Sequence, residues 1–118
     1  MEKRDLKERT KSFALKIIKL VETLPKGRTA DILGRQLLRA GTSVGANYRA
    51  ACRAKSTADF ISKMGVVEEE TDETIYWMEL LIESGNLRMD VVEALMREAD
   101  ELLAITVSSI KTARRSKK

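Results

Sequence analysis

Five carboxylates fall within six consecutive residues, and they are the side chains in this chain best suited to chemistry: Glu68, Glu69, Glu70, Asp72 and Glu73. Glutamates at helical spacing inside a helical bundle can hold a pair of metal ions, but the usual ligand set includes Glu-x-x-His pairs. The chain contains no histidine, so a Mg²⁺ site built from carboxylates alone is the metal-binding alternative that remains. We favour a structural role, in which Arg39 on a neighbouring helix lies level with Asp72 and Glu73 and forms ion pairs with them.

Other catalytic arrangements lack support in the composition. Without histidine there is no Ser-His or Cys-His pair to activate a nucleophile, and no glycine-rich phosphate loop is present. The single cysteine, Cys52, has no partner for an internal disulfide or a zinc site. We interpret Cys52 as a small core residue and predict a protein that is not an enzyme and uses no cofactor or metal.

Four segments with apolar residues at three- and four-residue steps predict an all-α fold. Pro25 and Gly27 end the first segment, Ser56 or Thr57 caps the third, and Gly85 ends it. Short connections make consecutive helices antiparallel neighbours, which predicts an up-down-up-down four-helix bundle in a single domain over residues 1–118. The predicted helices cover about residues 4–24, 29–54, 56–84 and 89–114, with a basic C-terminal tail over 111–118.

Glycines recur on one face of the second helix at Gly34, Gly41 and Gly45. Each costs about 1 kcal/mol of helix propensity relative to alanine, so a packing reason is expected. With a turn near Lys55, Gly65 falls opposite Gly45. We therefore predict that the second and third helices approach closely there; the alternative is that the glycines mark a kink or a loop.

The third helix carries more apolar surface than one bundle core requires. Seven of the eight residues over 75–82 are apolar or aromatic, so the helix is apolar around most of its circumference. A second subunit would cover the outer side, with Tyr76, Trp77 and Leu80 as the oligomer interface. The alternative places Trp77 and Leu80 under the end of the first or fourth helix of the same chain.

Positive charge is concentrated at one end of the predicted bundle. The predicted topology brings together the N-terminus, the turn between the second and third helices, and the C-terminus. The combined net charge of these three segments is +10 over residues 1–14, 49–63 and 104–118, and the rest of the chain carries −6. Basic ends also aid solubility, and cations at a helix C-terminus complement its dipole. The cations predicted to form one nucleic-acid-binding rim are Lys3, Arg4, Lys7, Arg9, Lys11, Arg49, Arg53, Lys55, Lys63, Lys111, Arg114, Arg115, Lys117 and Lys118.

Such a rim attracts phosphate backbones through counterion release, which depends little on base sequence and weakens steeply with salt. The aromatic residues all fall on apolar faces, which argues against recognition by base stacking. The charge pattern therefore favours backbone-and-shape recognition of structured RNA or duplex. The alternative is a protein-interaction or scaffold module whose basic end docks an acidic protein surface.

Nothing in the sequence suggests export or membrane insertion. No leading apolar stretch resembles a signal peptide, and no apolar run approaches the roughly 20 residues needed to span a bilayer. We expect a cytoplasmic location.

Three ordered motifs carry a family resemblance: RAGTSVGANYR from Arg39, SxADFIxKM from Ser56 and ETDETIYWMELL from Glu70. Over nearly the whole chain the sequence resembles the four-helix-bundle family of 23S rRNA intervening-sequence proteins. It is more distantly similar to the accessory variability determinant proteins of diversity-generating retroelements, which assist a reverse transcriptase and its RNA. The resemblance implies a homopentameric ring of bundles without known catalysis, and a reverse transcriptase as one partner. Arg39, Asn47, Arg49, Asp72 and Glu73 match recurrent polar positions of the family, to which no catalytic role is attached.

Overall fold

Helices make up most of the chain. The computed structural model describes the backbone of residues 3–116 and the side chains of residues 5–116. The four helices are α1 (Lys3–Glu22), α2 (Arg28–Cys52), α3 (Thr57–Glu83) and α4 (Met89–Ser116). Every bound lies within two residues of the predicted one.

Local hydrogen bonds set the ends of α3. The Ser56 hydroxyl accepts a bond from the Asp59 backbone N–H at 3.0 Å, and the Asp59 carboxylate accepts one from the Lys55 N–H at 3.0 Å. At the other end, Gly85 adopts φ +82°, where a side chain would be strained, and Asn86 N–H donates to the Leu81 carbonyl at 2.8 Å. The α3 helix therefore begins and ends at defined residues, and short connections join it to α2 and α4.

The helices form the predicted up-down-up-down bundle, about 51 Å long and 22 × 21 Å across. Each helix packs against the next in sequence and α4 returns to α1, while the diagonal pairs α1–α3 and α2–α4 do not pack together over the described residues. The α1–α4 seam is the most open of the four. The largest fully buried apolar side chains fill the centre: Phe13, Ile17, Leu37, Val44, Met64, Val67, Met78, Leu81, Val92 and Leu102.

The glycine face of α2 packs against α1, not against α3 as predicted. A Cβ built on Gly41 would lie 2.8 Å from two Ile17 carbons, and one on Gly45 would lie 3.3 Å from the Thr10 carbonyl oxygen. Gly65 has nothing within 4 Å of its Cβ position. The prediction was wrong because helical spacing shows which residues share a face without showing which neighbour covers it.

Candidate nucleic-acid interface

Basic side chains from two helices line a cleft between α1 and α2. Lys7 and Lys11 project from α1, and Arg49 projects from α2. Gly45 and Ala46 lie between them, and because these residues are small the cleft has a volume of about 520 Å³. A phosphate group could approach the helix backbone here with cations on both sides.

A second basic cleft, of about 530 Å³, lies between α2 and α3. Its lining includes Arg53, Lys55, Asp59 and Lys63. Ala46 and Arg49 line both clefts, so the two form one continuous surface centred on the outer side of α2. We call its cations the α2 basic face: Lys7, Lys11, Arg49, Arg53, Lys55 and Lys63.

The electrostatics of the α2 basic face favour an anionic ligand. Among the described residues that line the two clefts, Glu8 and Asp59 are the only acids, against six cations. Within the described part of the chain, Lys63 alone among the six forms an ion pair, with Asp59 at 2.6 Å. Hydrogen bonds from the Lys63 ammonium and then from the Lys55 backbone N–H lower the pKa of Asp59. The other five side chains are exposed and make no ion pair among the described residues.

Arg9 lies apart from this face, in the α1–α4 seam. Its guanidinium is 2.7 Å from the Glu98 carboxylate and 2.8 Å from that of Glu101, with a further 3.1 Å bond to Glu98. The hydrogen bond with Glu98 raises the pKa of Arg9 above its ordinary value. The structure therefore uses Arg9 to join two helices and does not bring it into the α2 basic face. Sequence reasoning missed Glu98 and Glu101, although their three-residue spacing places them on one side of α4.

The cations of α4 occupy another side of the same end. Lys111, Arg114 and Arg115 are exposed on α4, which is diagonal to α2 across the bundle. Exposed side chains of diagonal helices point away from each other, so the predicted single rim divides into two surfaces. Lys117, Lys118 and the side chains of Lys3 and Arg4 lie outside the described residues.

The acidic run of α3 supplies cross-helix ion pairs. Arg39 lies 2.6 Å from the Glu73 carboxylate and 3.1 Å from that of Glu70, and the bond with Glu73 raises the pKa of Arg39. Glu70 takes the place predicted for Asp72, which is exposed and, over the described residues, makes no ion pair. Successive helical residues are turned by about 100°, so Glu70 and Glu73 share a side that Asp72 does not. The described residues contain no cluster of His, Cys, Asp or Glu arranged to hold a metal ion.

The predicted interface residues differ in exposure. Tyr76 is 51% exposed, whereas Trp77 and Leu80 are half-buried and Trp77 packs against the core of its own chain. The Tyr76 and Trp77 rings meet edge-on with centroids 5.2 Å apart, and the Trp77 indole N–H is buried with no hydrogen-bond partner among the described residues. Ile32, which sequence reasoning missed, is 53% exposed on α2. Arg39 on α2 lies opposite Glu73 on α3, and the two helices are antiparallel. Ile32, seven residues before Arg39, therefore lies about level with Leu80, seven residues after Glu73.

None of the described helices combines the length and the apolar character that crossing a membrane would require.

The chain is similar to proteins of one family. The family described as 23S rRNA-intervening sequence protein matches residues 2–108. A solved structure, of a protein with unknown function from the S23 ribosomal protein family of Bacteroides thetaiotaomicron, is similar with a TM-score of 0.86 and 35% sequence identity, covering 94% of this chain and 99% of that chain. No functionally curated protein matches the chain significantly.

Proposed function

Because the chain belongs to the 23S rRNA-intervening sequence protein family, we propose that it is a non-catalytic binding protein that holds structured RNA or duplex by the phosphate backbone. The observation that carries this proposal is the α2 basic face, where three helices place cations around two clefts that share Arg49. The family description names rRNA, which agrees with a polyanionic ligand but identifies no partner.

The chemistry of the α2 basic face suits backbone contact better than base reading. Lysine and arginine neutralise phosphates and release their counterions, whichever bases are attached. Stacking would need exposed aromatic rings beside the cations, but Phe13 and Tyr48 are buried and Phe60 is half-buried. Tyr76 is exposed but lies 13 residues, or about 20 Å, along α3 from Lys63. Recognition then follows the spacing of phosphates in a structured segment.

Fluorescence anisotropy across a salt series tests the proposal, with labelled hairpin RNA, duplex DNA and single-stranded RNA as probes. We expect the wild-type affinity to fall steeply with salt, and Arg49→Ala/Arg53→Ala to weaken binding to every probe while lowering the salt slope by about 2. Lys16→Ala/Lys19→Ala is the matched control, because it also removes two exposed cations, and both lie on α1 outside the two clefts.

Two outcomes would contradict the proposal. If wild-type protein binds no probe even at low salt, the face does not hold nucleic acid and docking of an acidic protein becomes the leading hypothesis. If Lys16→Ala/Lys19→Ala weakens binding as much as Arg49→Ala/Arg53→Ala, binding reflects overall charge and not this face.

We also propose that copies of the chain associate through the exposed apolar surface around Tyr76. Tyr76 and Ile32, each about half exposed on neighbouring helices, are the observation that supports this proposal. The pentameric ring and the reverse-transcriptase partner stay predictions from the family resemblance.

A further inference from the structure

The last turns of α4 carry a second set of exposed cationic and hydroxyl side chains. Ser108, Lys111, Thr112 and Arg115 follow one another at three- and four-residue steps, so they share one side of the helix. All four are exposed. The sequence contains no acid after Glu101. We call these four residues the α4 stripe.

Hydroxyl and cationic side chains together are the usual ligands of phosphate oxygens. The α4 stripe borders the open α1–α4 seam, where a cleft of about 650 Å³ is lined by the hydroxyls of Ser108, Ser109 and Thr112 and, among the described residues, by one charged residue, Glu101, whose carboxylate pairs with Arg9. Ser109 thus adds one hydroxyl beside the α4 stripe. The α4 stripe is cationic like the α2 basic face, but its four residues all lie on α4, whereas the α2 basic face draws on α1, α2 and α3.

The helix dipole accounts for only part of this charge. Cations stabilise a helix C-terminus mainly within its last turn, which covers Arg114 and Arg115 because α4 ends at Ser116. Lys111 lies more than one turn from that end, and over the described residues it makes no ion pair. A ligand outside the chain therefore explains its placement better than the dipole does.

The two basic surfaces lie on different sides of the bundle. They lie on diagonal helices of a bundle that is 22 × 21 Å across, with α1 and α3 between them. A segment lying along α2 leaves the α4 stripe uncovered on another side. We propose that the protein bridges two nucleic-acid segments, one bound by the α2 basic face and the other by the α4 stripe, an inference that rests on the proposed function.

Energy transfer between two non-complementary RNA hairpins, one with a donor and the other with an acceptor, tests bridging. We expect wild-type protein to raise the transfer at intermediate protein concentration and to lose it at excess, when each hairpin is occupied by its own protein. In the Ile32→Ser/Tyr76→Ser background, which removes the proposed self-association, Lys111→Ala/Arg115→Ala and Arg49→Ala/Arg53→Ala should each abolish transfer, while the first still binds a single hairpin in anisotropy. Lys16→Ala/Lys19→Ala removes two exposed α1 cations outside both surfaces and should behave as wild type.

The outcomes separate this inference from the proposed function. Anisotropy binding without energy transfer in the wild type would overturn bridging and leave the proposed function standing, whereas no binding in either assay would overturn the proposed function itself. Transfer that persists in Lys111→Ala/Arg115→Ala would show that bridging arises from several copies using the α2 basic face, which also overturns the inference. Far-ultraviolet circular dichroism should show wild-type helicity in all variants, because every substituted side chain is exposed.

Discussion

At Gly41 a hydrogen atom in place of a side chain allows α1 to lie directly against α2. Ile17, which is fully buried, occupies the space that a methyl group at this position would need, with 2.8 Å to two of its carbons. The packing benefit outweighs the helix-propensity cost of about 1 kcal/mol that a glycine carries. The glycine is therefore required by the α1 contact and not by backbone flexibility.

Gly41→Ala should lower the free energy of unfolding by about 1–3 kcal/mol, because Ile17 has no room to move aside. Gly65→Ala is the matched control: it lies in a helix with nothing within 4 Å of the new carbon, so it should raise stability by about 0.5–1 kcal/mol. Urea unfolding followed by circular dichroism measures both. Changes of the same sign in the two variants would contradict this account of the glycines.

The free energy of unfolding should fall at alkaline pH because of the buried hydroxyl of Tyr48. Burial, and then the neighbouring Cys52 thiol, raise the pKa of its hydroxyl above the ordinary value, and the side chain is 4% exposed. As pH rises, the Tyr48 hydroxyl therefore ionises first in the unfolded chain, near pH ~10. Below that pH Tyr48 makes its full contribution to the free energy of unfolding, and the contribution is lost as the pH rises further. Melting temperatures between pH 8 and 11 should fall less for Tyr48→Phe than for wild type. Parallel curves would show that the pKa of Tyr48 is the same in the folded and the unfolded chain, which would contradict this account.

At the scale of helices, the Arg9 ion pairs join the most open seam of the bundle. Arg9 is 19% exposed and Glu98 is 28% exposed, so both charges are partly withdrawn from water. Removing one partner leaves the other partly buried and unpaired, which costs more than breaking an exposed pair. The α1–α4 contact depends on this cluster because few other contacts join the two helices.

Arg9→Met should destabilise the bundle by about 1–3 kcal/mol. Arg35→Met is the control, since it breaks a pair on one helix whose side chains are 76% and 58% exposed, and its effect should stay below about 0.5 kcal/mol. In Arg9→Met, the rate of amide hydrogen exchange should rise first along α1 and α4, because the seam between them opens more often. Equal losses of stability in the two variants would contradict a special role for the seam.

The helices were predictable because apolar core residues recur at three- and four-residue steps within each helix, as around Ile17 in α1 and Met78 in α3. The short connections between helices make consecutive helices antiparallel. What local spacing could not provide is the rotation of each helix about its axis. The glycines of α2 were assigned to the wrong neighbour, and Glu70 replaced Asp72 as a partner of Arg39, for this reason. The Arg9–Glu98 pair joins residues 89 positions apart, which no local pattern reveals.

For the basic residues, the sequence indicates which end of the bundle they occupy but not how they divide between its sides. Topology places Arg49 and Arg115 at one end of the molecule, and the sequence alone supports that much. Their separation onto diagonal helices depends on the packing order around the bundle, which became visible only in three dimensions. The two-surface proposal follows from that order.

At the scale of the whole molecule, charge differs between two sides as well as between two ends. Residues 1–55, which include α1 and α2, carry a net charge of +9, and residues 56–118 carry −5. The exposed apolar residues Ile32 and Tyr76 lie on the two helices where these halves meet. Self-association through this surface, which lies near the start of α2 and the end of α3, would leave the opposite, basic end of the bundle accessible.

Ile32→Ser/Tyr76→Ser should reduce the assembled mass in light scattering while helicity stays unchanged, because both side chains are about half exposed. Leu15→Ser/Val91→Ser is the control, since it removes equally exposed apolar groups from α1 and α4. Trp77→Ala is less suitable, because Trp77 packs against the core and its loss should also destabilise the chain. A wild-type mass for Ile32→Ser/Tyr76→Ser would place the interface elsewhere.

Trp77 also gives the protein a built-in optical probe. It is the single tryptophan of the chain, and it sits 14 residues, or about 21 Å, along α3 from Lys63 in the α2 basic face. Its emission should shift to longer wavelength when the core opens and should respond to a neighbouring subunit near Tyr76. Ligand binding at the distant basic end should leave its emission nearly unchanged, so one unlabelled sample can report unfolding and assembly separately from ligand binding.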